Sequence, residues 1–398
     1  SDFKNRTYIR KLINFNEVRV FESALGQHNM ITVLTKNKES KMPCMSVMCM
    51  ESLTANAEKI KRILQGNDEK TSVVLVDQDN LYDGGDDYIR QNGVNSQSEN
   101  SIGSILDKMS SSTLHISDLC EVNQGVVSGC DYVSNRNVSD LDTAHNDIQM
   151  KDGIFVLDLT NARDRERYES FSEKERQKFC KPFFKNSEIA RYHCNVKNTK
   201  VLIYIGKETE SLTGYPNIEE HLNRFLPVLQ RRREAQNGSI KAFQLQWART
   251  KSIFEGDKIV VPYRTRENAF AFNTGDWFCR SDAYVITPKK KTVNLFTILG
   301  ILNSQLSFVW LYNRGKRKGE ILELFQVPLS EIPLPLLDEE SQVRIANLAQ
   351  TITESKNNKS GDTSDLETEI DNILFNAFGL SEEEKNLARS FTGGESNG

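Results

Sequence analysis

The chain has 398 residues, which at ordinary domain size is about two to three domains with ample capacity for packed cores. Hydrophobic residues make up 38% and charged residues 27%, and 51 basic against 55 acidic side chains leave a net charge of −4. Peptide-like and wholly disordered classes are excluded, and an ordinary mixed α/β protein is the expectation.

The chain starts at Ser1 with neither a methionine nor a signal-like segment, so it reads as a piece of a longer protein. Tyr8 to Lys36 reads as a basic helix end followed by short strands, including Met30 to Leu34. Such a piece is too small to bury its own faces and implies strands of a larger sheet. From about residue 41 the texture changes to a Met/Cys segment, a helical stretch around Leu53 to Leu64, a strand at Val73 to Val76, and a Gly/Asp/Asn/Ser-rich run from Asp83 to Ser101. That run reads as a loop or partly disordered linker.

A compact region begins near Leu114. Phe155 to Leu157, Val201 to Ile205, Ile259 to Val261 and Ala283 to Ile286 are strand-length apolar runs, separated by a charged helix at about Ser172 to Phe179 and by the segment Ile218 to Gln236. The longest apolar stretch, Val293 to Tyr312, is interrupted by Asn294, Asn303, Ser304 and Gln305, so a buried helix is expected rather than a membrane span. From Asp338 the apolar residues fall at helical spacing, with capping boxes at Ser364/Glu367 and Ser381/Glu384. The fold class is therefore α+β with an irregular mixed sheet, flanking helices and a small helical tail, and no doubly wound sheet.

Seven cysteines (Cys44, Cys49, Cys120, Cys130, Cys180, Cys194 and Cys279) contain no CxxC pair, which points to free thiols in a reducing cytoplasm. Neither GxGxxG nor GxxxxGK[ST] occurs, nor HExxH, and no GxSxG stands at a strand-to-helix elbow. His193-Cys194 with Cys180 lacks the further ligands a zinc site needs. Asp68-Glu69-Lys70 has the form of a nuclease half-motif, but such triplets are frequent by chance. No catalytic residue is assigned and no metal is expected.

The charge is unevenly distributed. His221 to Arg266 contains ten Lys/Arg and three Asp/Glu, a local +7, whereas Asp338 to Gly398 contains five and thirteen, a local −8. Arg231, Arg232, Arg233, Arg249, Arg264 and Arg266 are interleaved with Phe243, Trp247 and Tyr263, and a second basic knot is Lys316-Arg317-Lys318 between Gly315 and Gly319. Phosphate-neutralising charge beside aromatic surface suits nucleic acid, although a run such as Arg231 to Arg233 also suits a solvated helix face. Arg264 and Arg266 follow a buried-looking strand that would project two guanidiniums into a groove.

Ile116 to Val133, ISDLCEVNQGVVSGCDYV, resembles the opening of the target-recognition domain of TaqI-like adenine-N6 DNA methyltransferases, a region also found in fused type IIG restriction-modification enzymes. KPFFKNSEIARY (Lys181 to Tyr192), YPNIEEHL (Tyr215 to Leu222), LQRRRE (Leu229 to Glu234), KIVVPYRTR (Lys258 to Arg266), DAYVI (Asp282 to Ile286), LGILNSQL (Leu299 to Leu306) and RGKRKGEILEL (Arg314 to Leu324) follow in the family's order, ending at LSEIPLP (Leu329 to Pro335). Ile13 to Lys36 looks like the last strands of the family's catalytic domain. The family's AdoMet-binding glycine motif and its Asn-Pro-Pro-Tyr motif lie upstream of this region, and neither occurs in the sequence.

The resemblance implies residues 1–40 as the end of an α/β methyltransferase domain, 41–112 as a linker or insert, 113–337 as a DNA target-recognition domain and 338–398 as a helical appendage. It implies double-stranded DNA and an upstream methyltransferase domain as partners, no membrane, and a bacterial or archaeal cytoplasm. S-adenosyl-L-methionine is implied for the parent enzyme, with no cofactor held by this region. Base contacts are expected from the first glycine turn (Gln124, Gly125, Ser128, Gly129), from Lys185, Asn186 and Ser187, and from Arg264 and Arg266. Arg231, Arg232, Arg233, Lys316, Arg317 and Lys318 are expected on phosphates. Tyr132 and Trp247 stand either as stacking platforms or as core. A BREX-type phage-exclusion methyltransferase and a protein-interaction domain are the alternatives.

Overall fold

The computed structural model describes residues 6–15, 18–21, 29–36, 42–49, 54–82, 89, 101–138, 141, 147–318 and 320–393. The chain divides into two compact units, Ser1–Ser110 with Arg317–Leu322 and Leu380–Gly398, and Ser111–Lys316 with Glu323–Gly379.

In the first unit, β1 (Tyr8–Asn14), β2 (Met30–Thr35), β3 (Cys44–Cys49) and β4 (Thr71–Val76) form one sheet in the order β2-β1-β3-β4. β1 runs antiparallel to β2 and parallel to β3, and β3 runs antiparallel to β4. Alternation along a strand sends Leu12 and Ile13 to opposite faces. Ile13, Val47 and Cys49 meet Ile63 of α1 (Ala57–Gln65), while Leu12 and Cys44 meet Val76 and Leu81 on the other side. An irregularity between Ile9 and Lys11 lets Ile9, three residues from Leu12, share its face. Asn56 caps α1 by accepting the Lys59 N–H at 2.9 Å.

Two expectations change here. Tyr8 to Arg10 is not a helix end, because antiparallel pairing of Tyr8 and Ile9 with Thr35 and Leu34 of β2 draws it into the ladder. Residues 44–76 are not a linker, since β3 and β4 complete the sheet that β1 and β2 begin. Most of the polar run from Asp83 to Ser101, together with Gly26, His28, His145 and Gly319, lies outside the described residues. Asp68 of the supposed half-motif is a turn residue, accepting the Lys70 N–H at 3.2 Å and pairing with Lys59 at 3.0 Å.

The second unit holds two four-stranded sheets around a single large core. One comprises β5 (Cys120–Gln124), β9 (Lys258–Pro262), β10 (Ala271–Asn273) and β12 (Ala283–Pro288), in the order β10-β9-β12-β5 and antiparallel throughout. The other comprises β6 (Val156–Asp158), β7 (Cys180–Phe184), β8 (Lys200–Ile203) and β11 (Phe278–Cys279), in the order β11-β7-β8-β6. The fully buried Trp277 stacks on Phe184 with ring centroids 4.7 Å apart, and its indole N–H donates to the Asn195 carbonyl at 2.9 Å.

Val293 to Tyr312 becomes two mostly buried helices, Leu295–Leu302 and Gln305–Arg314, bent by 63°. Asn303 makes the break by exchanging hydrogen bonds with both backbone groups of Phe270 at 2.9 and 3.1 Å, and Ser304 caps the second helix. Among the described residues no single helix is long and apolar enough to cross a membrane. The expected tail divides: Glu339–Asn358 and Ser364–Ala377 pack on Leu295–Leu302 through Ile345, Ala349 and Ile370, whereas Glu382–Ser390 groups with the first unit. There the Ser381/Glu384 capping box forms and the buried Glu384 takes Lys108 at 2.6 Å. The other expected box does not form: the N-cap is Thr363 and its side chain caps no N–H, its hydroxyl donating instead to the Glu367 carboxylate at 2.9 Å.

Candidate nucleic-acid interface

Strand β5 ends at Gln124 and leads into the glycine turn, which the backbone of the second unit grips on two sides. Gly125 and Val126 donate to the carbonyls of Ala283 and Cys279 at 2.9 and 2.7 Å, and Val127 and Trp247 exchange backbone hydrogen bonds at 3.0 and 2.8 Å. Gly125 is buried, and a Cβ there would lie 2.2 Å from the Arg280 carbonyl oxygen. Its close approach is thus to the chain's own backbone, not to a ligand. Gly129 has φ +81°, and a Cβ there would meet Gln246 Oε1 at 2.7 Å.

This turn forms one wall of an open cleft in the second unit. Its lining runs from Val126 to Tyr132, then Ser134, Arg136 and Asn137, and is completed by Gln246, Arg280 and Ser281. Tyr132 and Trp247 are 45% and 47% exposed, so both are surface aromatics and not core. Arg280 reaches Asp131 at 3.4 Å and keeps much of its guanidinium open. Gln124 is held at the edge, its amide nitrogen donating to Ser281 O at 2.9 Å and its amide oxygen accepting from Arg249 at 2.9 Å.

The loop of Lys185, Asn186 and Ser187 is joined to this region by the Arg280 N–H, which donates to Phe184 O at 3.1 Å. Lys185 N–H donates to Glu188 at 2.7 Å, closing a short helical turn. Next in line is Asp282, whose carboxyl is pushed up by burial and steadied by the Asn186 N–H, Arg280 and Lys185. The Tyr263 N–H donates to Asp282 O at 2.9 Å, which brings Arg264 onto the same strip. Arg264 pairs with Glu323 at 2.6 Å, and that contact raises its pKa further. Its guanidinium sits 4.8 Å from the Tyr263 ring centroid. Lys316 approaches the same Glu323 at 3.7 Å and the Phe325 ring at 4.5 Å, and Arg266 is exposed.

The structure corrects two of the expected contacts. Arg232 is 8% exposed, and its guanidinium is spent on the carbonyls of Leu229, Ser128, Ala242 and Gln244 at 2.6–3.1 Å. Burial lowers its pKa to about 10. It ties the glycine turn to the segment behind it and has no donor to offer a phosphate. Ser128 is likewise buried, with its hydroxyl on Asp131. Arg231 and Arg233 flank Arg232 on the exposed side, Arg233 beside Glu234 at 2.9 Å. Arg317 and Lys318 are half-buried in a short strand and group with the first unit.

Sequence reasoning did not include Arg136, Gln246 or Arg280, because nothing local distinguishes them from other surface polar residues. Elsewhere, His193 Nδ1 meets Asn357 at 2.6 Å and the Cys194 thiol meets Phe272 O at 3.6 Å. No group of three His, Cys, Asp or Glu among the described residues could hold a metal ion.

With this geometry in hand, residues 181–334 match the family model of the TaqI-like C-terminal specificity domain. The type II methyltransferase M.HincII of Haemophilus influenzae is 26% identical over 147 residues, covering 35% of this chain and 29% of that protein. The type II methyltransferase M.HindII of Haemophilus influenzae strain Rd is 24% identical over 231 residues, covering 56% of this chain and 39% of that protein. The chain thus spans well under half the length of either relative. Among solved structures, the type IIL restriction-modification enzyme MmeI in complex with DNA aligns over 97% of this chain and 46% of its own, with TM-score 0.53 and 11% identity, a likeness of fold. Residues 181–334 are thus similar to a TaqI-like C-terminal specificity domain, and parts of the chain are similar to type II methyltransferases.

Proposed function

We propose that this chain is the sequence-reading part of a site-specific adenine-N6 DNA methyltransferase, or of a fused type IIG restriction-modification enzyme, acting in a bacterial or archaeal cytoplasm. The observation that carries this reading is the strip from Trp247 and the cleft through Lys185–Ser187 to Arg264. It lines up exposed aromatics, amides and guanidiniums on the domain whose family is defined by specificity. Phosphate contacts from Arg231, Arg233, Arg266 and Lys316 would set position and supply most of the affinity, while Gln124, Tyr132, Asn186, Ser187 and Arg264 would meet base edges. Residues 113–337 are the proposed reading module, and an upstream methyltransferase domain is its proposed partner.

S-adenosyl-L-methionine belongs to that upstream domain in this reading. The turn at Gly125 does not suit it, since the Arg280 and Cys279 backbone fills the space beside that glycine. No methyl-transfer step is assigned to this chain.

The test is selection from a random duplex pool by the 398-residue chain at two salt concentrations. Enrichment of one short adenine-containing motif, with affinity falling steeply as salt rises, is the expected result. Absence of binding at low salt would overturn the proposal.

A further inference from the structure

Arg249 is built differently from every other arginine along the strip. Its backbone lies in the left-handed region at φ +65°, a conformation that non-glycine residues adopt at a cost and keep only when their surroundings enforce it. The enforcement is visible: the buried Tyr204 donates its hydroxyl to the Arg249 carbonyl at 2.8 Å, and the preceding Trp247 is locked to Val127 by a backbone pair. The side chain is fixed as firmly. Nη2 donates to Gln124 Oε1 at 2.9 Å, Nε faces Gly125 O at 3.4 Å, and the guanidinium carbon sits 5.7 Å from the Trp247 ring centroid.

An exposed arginine ordinarily keeps its rotamer freedom, which binding must then remove. Here that freedom is already lost, while the outward Nη hydrogens are uncommitted among the described residues. The strained backbone, the hydroxyl that holds it and the amide that aims the guanidinium all serve one orientation. Among the described residues no carboxylate pairs with Arg249, and its aim comes from Gln124 and the Gly125 carbonyl.

We infer that Arg249, aimed by Gln124 and steadied by Trp247, is a specificity-determining residue that reads the two-acceptor edge of a guanine. A rigid planar fork discriminates a flat edge with two acceptors in one plane. A phosphate asks only for charge, which exposed residues such as Arg231 and Arg233 supply. The inference rests on the proposed DNA-reading role, and it adds to it a G·C pair within the recognised site and the residue that selects it.

The experiment is parallel selection from a random duplex pool with the 398-residue chain and its Arg249→Gly, Arg249→Lys and Gln124→Ala variants. Glycine accepts φ +65° without strain, so Arg249→Gly removes the guanidinium and leaves the backbone undisturbed. Arg249→Lys keeps the charge but not the fork, and it carries the test alone should the glycine variant not fold. The expected result is that both Arg249 variants recover the parent motif with one G·C position relaxed, the preference there falling roughly tenfold or more. Gln124→Ala relaxes the same position less. A motif unchanged at every position in both Arg249 variants would overturn the inference, as would uniform weakening across all sequences, which marks a phosphate contact. If the parent chain itself enriches no motif, the DNA-reading role fails first, and the inference with it.

Discussion

Arg231–Arg233 and Gln246–Arg249 are both arginine-bearing segments of the second unit, and they use their side chains in opposite directions. The first sends its middle arginine inward, onto four carbonyls and over the Phe155 ring. The second turns Trp247 and Arg249 outward on a backbone held from behind by Tyr204 and Val127. What separates them is the supply of acceptors behind each segment. Unpaired carbonyls in the interior capture a guanidinium, whereas carbonyls already paired in a ladder leave it at the surface.

The strongest way to break this comparison is Arg232→Ala. Removing a buried guanidinium strands the carbonyls of Leu229, Ala242 and Gln244, while Ser128 O keeps the Gln246 N–H, so stability should fall by about 3 kcal/mol in urea denaturation. A loss below about 0.5 kcal/mol would show that Arg232 is not a structural tie.

A second buried cation-forming group tests the same logic by pH. His221 donates from Nε2 to Ile154 O at 2.8 Å and is held neutral, its pKa lowered to about 4 chiefly by burial. The unfolded histidine titrates near 6.5. Its folded value is depressed, so its contribution is fully present above pH 6.5 and is lost as pH falls toward 4, by about 3 kcal/mol. His221→Gln should flatten that part of the stability profile, and an unchanged profile would contradict the assignment.

Gly125→Ala comes next. A methyl 2.2 Å from the Arg280 carbonyl forces the turn away from the Cys279–Arg280 backbone, at a cost of about 2 kcal/mol. Thermal unfolding checks the loss, and weaker DNA binding by the surviving folded protein should accompany it. Arg233→Ala should do the least. It lies on the exposed side and should leave stability within about 0.5 kcal/mol while lowering the salt dependence of DNA binding by about one phosphate contact. A stability loss as large as that of Arg232→Ala would erase the distinction between the two neighbours.

Four strands of the second unit were legible because each is a short apolar run bounded by polar residues, as at Ile259 to Val261 and Ala283 to Ile286, whereas Cys120–Gln124, Cys180–Phe184, Ala271–Asn273 and Phe278–Cys279 carry no such run and were not read. A single buried helix was expected over Val293 to Tyr312, and only the hydrogen bonds of Asn303 to Phe270 break it into two. β3 was misread as linker because a Met/Cys strand has little local signature and its sheet partners stand up to 34 residues away, and β4 was read as a strand only at Val73 to Val76, outside any sheet. For the candidate site, Lys185–Ser187, Tyr132 and Trp247 come to the surface that the expected contacts required. Arg280 and Gln246 could not be found, because only the crossing of the glycine turn with residues 246 and 280 makes a cleft of them.

Local chemistry, then, determined where the elements lie, which residues cap them and where positive charge accumulates, since spacing and side-chain type act over a few residues. Tertiary structure alone decided which arginine faces inward and which faces out. Arg232 finds Ser128 across 104 residues and Arg249 finds Gln124 across 125, and a guanidinium goes where distant acceptors stand unpaired, which no local pattern records.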